Sequence, residues 1–170
     1  MIRYAGLEEQ SVSDGPGIRL TVFLQGCLHS CPGCHNPQLQ DIAGGTEMEE
    51  KELAEFLLSK LTILHSGITF SGGDPLLQAE GLTKVLGYLK AVRPELNIWV
   101  YTGYLYEEVK DLALMELIDV LVDGLYLEAE RDLSLAFRGS GNQRIIDNTT
   151  SLKLKTLHYQ ENILNERKYL

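Results

Sequence analysis

The chain runs directly from an apolar segment into a cysteine-rich loop between Thr21 and Cys34, where it reads TVFLQGCLHSCPGC. Cys27, Cys31 and Cys34 are the only cysteines among 170 residues, and their spacing is Cys-x3-Cys-x2-Cys. Three thiolates can hold three corners of a cubane 4Fe-4S cluster and leave the fourth iron open, whereas a purely electron-carrying cluster normally has four protein ligands. The spacing therefore predicts an iron–sulfur site with one iron free to bind another ligand.

A zinc site is the main alternative for this loop. His29 or His35 would supply a fourth ligand, and three cysteines with one histidine form an ordinary zinc set. The odd number of cysteines excludes a closed disulfide framework.

Length and composition indicate a single domain, and the charge favours a protein rather than nucleic acid as its partner. At 170 residues the chain is long enough to bury one core. Its formal net charge of −9 argues against binding of nucleic acid, which requires clustered basic residues. The sequence has no signal-peptide pattern and no apolar run approaching the ~20 residues that cross a bilayer. Together with free thiols, these features predict a cytoplasmic protein without membrane contact.

Strand-like and helix-like segments alternate along the chain. Strands are predicted at residues 21–25, 68–70, 98–101 and 118–122. Apolar spacing predicts helices over residues 53–64, 82–92 and about 106–116, the first preceded by a Thr46-x-x-Glu49 capping box. Because the strands look apolar without alternation, the fold class is α/β, with a mostly parallel sheet covered by helices.

Polar or glycine-rich steps follow each predicted strand. They are the cysteine loop, Ser-Gly-Gly-Asp-Pro at 71–75, Thr102-Gly103 and Asp123-Gly124. Parallel strands end at one edge of a sheet, where ligands bind, so these four features are expected to meet there. A structural zinc knuckle needs no such array, and the convergence therefore favours the iron–sulfur interpretation.

Six segments match a known family in the same order. They are GPGIR at 15–19, CPGCHNP at 31–37, TFSGGDP at 69–75, IWVYTGY at 98–104, VLVDG at 120–124 and RGSGNQR at 138–144. Together they resemble the radical S-adenosylmethionine enzymes, and among these the activases of glycyl radical enzymes, in particular the subgroup that activates anaerobic ribonucleotide reductase. The resemblance runs from about residue 15 to residue 146.

The resemblance implies a partial (β/α) barrel of the radical S-adenosylmethionine type. Residues 1–147 would form this core, and residues 148–170 a C-terminal tail of unknown role. A complete (β/α)8 barrel needs ~250 residues, so this chain can form only part of one, with an open side. A protein substrate would close that side and shield the reaction.

The resemblance also implies an oxidoreductase similar to the activating enzyme of formate C-acetyltransferase. One 4Fe-4S cluster would be held by Cys27, Cys31 and Cys34, and S-adenosylmethionine would bind its open iron. Reductive cleavage of that cofactor gives a 5′-deoxyadenosyl radical, which would generate a glycyl radical on the large subunit of the reductase. A flavodoxin or ferredoxin would supply the electron.

The family pattern places further residues around S-adenosylmethionine. Gly33, Cys34 and His35 would lie beside the adenine, Ser71, Gly72, Gly73 and Asp74 beside the methionyl ammonium, and Thr102 and Asp123 near the carboxylate. Glycines lacking Cβ atoms would let backbone carbonyls approach the ammonium, and Asp74 would add negative charge.

Several other residues carry weaker expectations. Leu125 stands where some relatives have Lys, so a charged contact to the ligand carboxylate would be missing. Arg19 and Arg138 are expected to face the partner or the site, or to be solvated surface residues. His29 is expected to be a surface loop residue.

Two other functions remain open at this point. The chain could activate a different glycyl radical enzyme or modify a peptide or small molecule by the same chemistry. It could also be a zinc or electron-transfer module that binds its partner through an acidic surface.

Overall fold

A computed structural model describes residues 1–160 and shows a mixed α/β fold built on one seven-stranded sheet. The strands are β1 (Ile2–Ser11), β2 (Ile18–Leu24), β3 (Thr46–Met48), β4 (His65–Gly72), β5 (Ile98–Tyr101), β6 (Val120–Asp123) and β7 (Arg144–Asp147). The helices are α1 (Glu50–Lys60), α2 (Ala79–Val92), α3 (Tyr106–Val109) and α4 (Asn148–Leu154).

The sheet has the strand order β3-β1-β2-β4-β5-β6-β7. Strands β2, β4, β5 and β6 are parallel, as the alternation of strands and helices predicts. The outer strands β1, β3 and β7 pair antiparallel and were not predicted. The sheet is therefore parallel only at its centre, where the strand ends carry the polar steps.

The two faces of the central sheet differ in chemistry. One face and the helices that cover it form an aliphatic core, which includes Leu20, Val22, Leu24, Ile68, Phe70, Ile98, Val100, Leu121 and Ile146. Arg19, Thr21 and Thr69 alternate with these core residues and are buried on the other face. The prediction of wholly apolar strands is wrong for β2 and β4, because β2 carries the buried Arg19 and Thr21 and β4 carries the buried Thr69 among their apolar residues.

Arg19 is a structural residue of this second face, which also carries a smaller apolar cluster that includes Trp99, Val120 and Val122. It is fully buried, its Nε donates to Thr69 Oγ1 at 2.6 Å, and its guanidinium reaches the Ile68 carbonyl at 2.7 Å. It also lies over the Trp99 ring, with 5.3 Å to the ring centroid. Burial lowers the pKa of Arg19 to about 10. The expectation that Arg19 faces a partner, the site or solvent is wrong, because neutral acceptors inside the fold bind its guanidinium.

Replacing Arg19 by Met is expected to lower the free energy of unfolding by about 3 kcal/mol, since Thr69 and the Ile68 carbonyl lose a charged partner inside the fold. Denaturant unfolding measures the change. Arg93→Met is the matched control, because Arg93 is half-exposed and pairs with the exposed Glu95. Equal stability of the two variants would contradict the structural role of Arg19.

Two predicted helices differ from the structure. Thr46 pairs with Tyr4 in the sheet, so it does not cap α1, which begins at Glu50 after Glu49 without a side-chain cap. The predicted helix over 106–116 is divided into α3 and a 3-10 turn at Ala113–Glu116. Leu112 has an extended backbone, with φ −72° and ψ 140°, and this conformation interrupts the helix.

The predicted C-terminal tail, residues 148–170, is described as far as Gln160. Its first part packs on the sheet: Asn148 is buried and donates to the carbonyls of Met115 and Ile118, and Ile146 forms a bridge with Tyr159. Residues 161–170 lie outside the described residues. Within residues 1–160, no helix has the length and apolar composition needed to cross a membrane.

Candidate functional site

The cysteine loop begins at the end of β2 and is closed by backbone hydrogen bonds. The Gly26 amide donates to the Leu39 carbonyl at 2.8 Å, and the Cys27 amide donates to the Gln40 carbonyl at 3.2 Å. The Gln25 side chain donates to the Asp41 carbonyl at 2.7 Å, which holds the same closure from the strand side. Residues 26–40 therefore form a loop with a fixed base at the edge of the sheet.

A tight turn brings the second and third cysteines together. The Cys34 amide donates to the Cys31 carbonyl at 3.2 Å, and Gly33 has φ +70°. Pro32 followed by a glycine with positive φ is the sequence that a type II turn requires.

The four strand-end features meet at one cleft, as predicted from the parallel topology. The cleft has a volume of about 440 Å³. On its sheet side it is lined by Cys27, His29, Cys31, Cys34, His35, Ser71, Gly72, Gly73, Asp74, Thr102, Gly103 and Gly124. The segment after β6 forms the opposite wall and contributes Tyr126, Leu133, Phe137, Arg138 and Gln143.

Gly72 and Gly73 are required by the backbone packing beneath the cleft. Gly72 has φ +115°, and an ideal Cβ at Gly73 would lie 2.2 Å from the Gly26 carbonyl oxygen and 2.7 Å from that of Leu39. The next amide, that of Asp74, donates to the Gly26 carbonyl at 2.7 Å. The two glycines therefore let the turn after β4 lie directly on the base of the cysteine loop.

Asp74 is buried and its carboxylate is fully engaged. Leu76 N donates to Oδ1 at 2.9 Å, Gly103 N donates to Oδ2 at 2.9 Å, and Thr102 Oγ1 lies 3.0 Å from both oxygens. His29 Nε2 lies 2.6 Å from Oδ2. Four donors match the four lone-pair sites of a carboxylate, so Asp74 organises the surrounding loops as well as contributing negative charge to the cleft.

His29 is not the surface residue expected from the sequence. Its side chain is only 16% exposed and lies between Asp74 and the ring of Tyr104. The hydrogen bond to Asp74 raises the pKa of His29, although burial opposes this shift. Sequence analysis missed the contact because the two partners are 45 positions apart.

Thr102 and Asp123 occupy different environments. Thr102 lines the cleft and contacts Asp74, whereas Asp123 is fully buried and does not line the cleft. The Asp123 carboxylate accepts from Tyr106 N at 2.7 Å and pairs with Arg144. The hydrogen bond between Arg144 and Asp123 raises the pKa of Arg144, which also pairs with Glu107. The structure thus places Gly124, rather than Asp123, at the cleft.

Two further residues near the cleft were singled out from the sequence. Gly33 and His35 are on the exposed side of the loop, where the His35 ring packs at 5.1 Å on Tyr126 and Gly33 lies close to the Glu128 carboxylate. Tyr126 itself was not predicted, and no short-range pattern marks it.

Arg138 is the one Lys or Arg side chain that lines the cleft within the described part of the chain. Its guanidinium donates to the Gln143 carbonyl at 2.9 Å. Its Nε is buried and has no hydrogen-bond partner among residues 1–160. An unpaired buried donor is costly, so this group is suited to receive an anionic part of a ligand.

The donor chemistry of the cleft fits an iron–sulfur cluster. All three cysteines are unpaired, half-buried and line the cleft, and thiolates are the usual ligands of such clusters. Burial raises the pKa of Cys27, so a thiolate there needs a nearby cation. Among residues 1–160, no three His, Cys, Asp or Glu side chains are gathered around one point as a single metal ion requires. The two histidines proposed for zinc contact Asp74 and Tyr126 instead.

Comparison with known proteins agrees with this cleft. Residues 13–146 match the family described as "4Fe-4S single cluster domain", which defines the chain as an iron–sulfur protein with one cluster domain. It is 40% identical over 141 residues to a protein of Enterobacteria phage T4, covering 80% of this chain and 88% of that protein. A Vibrio cholerae protein is 41% identical over 143 residues, covering 79% and 90%, and an Escherichia coli K12 protein is 37% identical over 140 residues, covering 78% and 90%. All three are named anaerobic ribonucleoside-triphosphate reductase-activating protein, and the chain belongs to that family.

Proposed function

We propose that the chain is a radical S-adenosylmethionine activase that generates a glycyl radical on an anaerobic ribonucleotide reductase. The observation that carries this proposal is the cleft, in which three free thiols, the Gly-Gly-Asp turn and Thr102 are brought together. Relatives covering about four fifths of the chain are named as activating proteins of that reductase. The activity would be that of an oxidoreductase like the activating enzyme of formate C-acetyltransferase.

The residues of the cleft have distinct tasks in this proposal. Cys27, Cys31 and Cys34 would hold one 4Fe-4S cluster, and the loop base at Gly26 sets their position at the sheet edge. The chemistry supplied at this site would be one-electron reductive cleavage of S-adenosylmethionine to methionine and a 5′-deoxyadenosyl radical, with the electron from a flavodoxin or ferredoxin. Ser71, Gly72 and Gly73 would lie beside the methionyl ammonium. The turn of Gly33, Cys34 and His35 would lie beside the adenine.

Arg138 would bind the carboxylate of the methionyl group. It is the cationic side chain of the cleft wall, and its buried Nε still lacks an acceptor within residues 1–160. Leu125 offers no charge at this edge, and Asp123 is paired with Arg144. Thr102 would then orient the ligand indirectly, through Asp74.

The sheet would form part of a (β/α) barrel, with residues 1–147 as its core and residues 148–170 as the tail. Among residues 1–160, only the strands β2, β4, β5 and β6 are parallel, so the cleft is bounded by a sheet edge and by one irregular segment. Such a site is suited to a protein substrate, whose surface would cover the cleft. A glycine suits the reaction because its Cα radical is stabilised by the flanking amides and no side chain blocks approach.

The test is an anaerobic incubation of the reconstituted chain with S-adenosylmethionine, a reductant and the candidate reductase. We expect electron paramagnetic resonance to show the doublet of a glycyl radical on the reductase, with one 5′-deoxyadenosine formed per radical. The doublet should disappear when the reductase glycine is replaced by alanine. Cofactor cleavage with no radical on the reductase, accompanied by turnover of another protein or a small molecule, would instead support the alternative enzyme class.

Arg138→Met is expected to weaken S-adenosylmethionine binding by about tenfold or more, because a charged hydrogen bond to the ligand is lost. Arg138→Lys should recover part of the affinity, and the visible absorbance of the cluster should be unchanged in both variants. Arg131→Met is the matched control, since Arg131 is exposed on the same segment. Unaltered affinity in Arg138→Met would remove Arg138 from the ligand site.

A further inference from the structure

The His29 side chain connects three loops that follow three different strands. It belongs to the cysteine loop after β2, and its Nε2 lies 2.6 Å from Asp74 Oδ2 in the turn after β4. Its ring packs edge-on against Tyr104 in the loop after β5, with 4.6 Å between the ring centroids. The contact is largely buried, since the Asp74 side chain is 2% exposed.

The loop after β5 is shaped to receive the His29 ring. An ideal Cβ at Gly103 would lie 2.5 Å from His29 Cδ2 and 2.7 Å from Nε2. Glycine at this position therefore provides space for the imidazole, and the Gly103 amide donates to the same Asp74 oxygen that His29 contacts.

The middle of the cysteine loop has few other attachments. Within residues 1–160, one backbone hydrogen bond joins residues 26–40 to the rest of the fold, from the Asp74 amide to the Gly26 carbonyl at the start of the loop. The bonds of Gly26 and Cys27 with Leu39 and Gln40 close the two ends of the loop on each other. His29 lies two positions after Cys27 and two before Cys31. Its side chain is thus placed to hold the part of the loop that carries two of the thiols.

We propose that His29 is a positioning residue that fastens the cysteine loop to the Asp74 carboxylate. Asp74 is a rigid anchor for this purpose, because Leu76, Thr102 and Gly103 also donate to it. Through this contact His29 sets where the thiols stand relative to the Gly-Gly-Asp turn. The inference rests on the proposed function, since the spacing matters only where a cluster and its ligand lie side by side.

The test compares His29→Leu, which removes the donor at similar size, with His29→Gln, which keeps a donor of similar reach. Leu28→Ala is the matched control in the same loop, because Leu28 is 65% exposed. Amide hydrogen exchange of Gly103 and of residues 27–34 is measured in the reduced, metal-free chain. The rate at which a chelator removes iron is measured in the reconstituted chain.

In the His29→Leu variant, we expect the amide hydrogens to exchange and the chelator to remove iron about tenfold faster than in the wild type. The reason is the loss of a hydrogen bond to a charged group. His29→Gln and Leu28→Ala should stay close to the wild type. Gly103→Ala keeps His29 but displaces its ring, so it should reproduce the effect of His29→Leu.

Two results would overturn the inference. One is a His29→Leu chain whose amide exchange and iron retention both equal those of the wild type. The other is equal impairment of His29→Leu and His29→Gln, which would assign the effect to ring packing on Tyr104. A wild type that holds its cluster but does not cleave S-adenosylmethionine would contradict the proposed function alone. Because amide exchange needs no cofactor, it decides the role of His29 even then.

Discussion

Replacing any one of Cys27, Cys31 or Cys34 by Ala is expected to abolish S-adenosylmethionine cleavage. No other cysteine is present in the chain to take the place of the lost thiolate. With only two cysteine ligands, two of the four irons would have no protein thiolate. The cluster would then dissociate easily. Iron and sulfide analysis after anaerobic reconstitution, followed by quantification of 5′-deoxyadenosine, measures both effects.

The control for the cysteine variants is again Leu28→Ala, an exposed change within the same loop. It should hold one cluster and cleave the cofactor at the wild-type rate. Full activity in any single cysteine variant would refute the assignment of that residue as a cluster ligand. A colourless wild type that contains zinc and no sulfide would favour the zinc interpretation instead.

Gly73→Ala is expected to lower the free energy of unfolding by about 3 kcal/mol and to prevent stable incorporation of the cluster. The added Cβ would lie 2.2 Å from the Gly26 carbonyl oxygen, so backbone must move. The movement separates the turn from the loop base and weakens the hydrogen bond from Asp74 N to Gly26 O. Denaturant unfolding and iron content measure the two consequences.

Gly87→Ala is the matched control, because a Cβ at Gly87 has no neighbour within 4 Å and the residue lies inside α2. Alanine has the higher helix propensity, so this variant should be more stable than the wild type by up to about 1 kcal/mol. If Gly73→Ala were as stable as Gly87→Ala and still held a cluster, neither stability nor cluster binding would depend on the close packing of the turn after β4 on the base of the cysteine loop.

Local sequence was sufficient to predict the centre of the fold. The β5 strand was predicted with its observed bounds, and helix α2 within a few residues, because both have a clear apolar pattern over their own length. Strand β1 was missed because its burial is mostly partial and follows no two-residue alternation. The Thr46 capping box failed because pairing of β3 with β1, a contact across 42 positions, overrides a local helix signal.

For the cleft too, some features could be predicted from local sequence and others could not. The cysteine spacing and the Pro-Gly turn are properties of adjacent residues, and parallel strands bring their ends to one edge, so the meeting of the four features could be predicted. The sequence by itself therefore determined which chemical groups meet. Only the tertiary structure decided which of them face the cleft. It buried Arg19 against Thr69 and Trp99, paired Asp123 with Arg144, and joined His29 to Asp74. These partners are brought together by the packing of separate loops and strands, and such contacts leave no periodic or short-range trace in the chain.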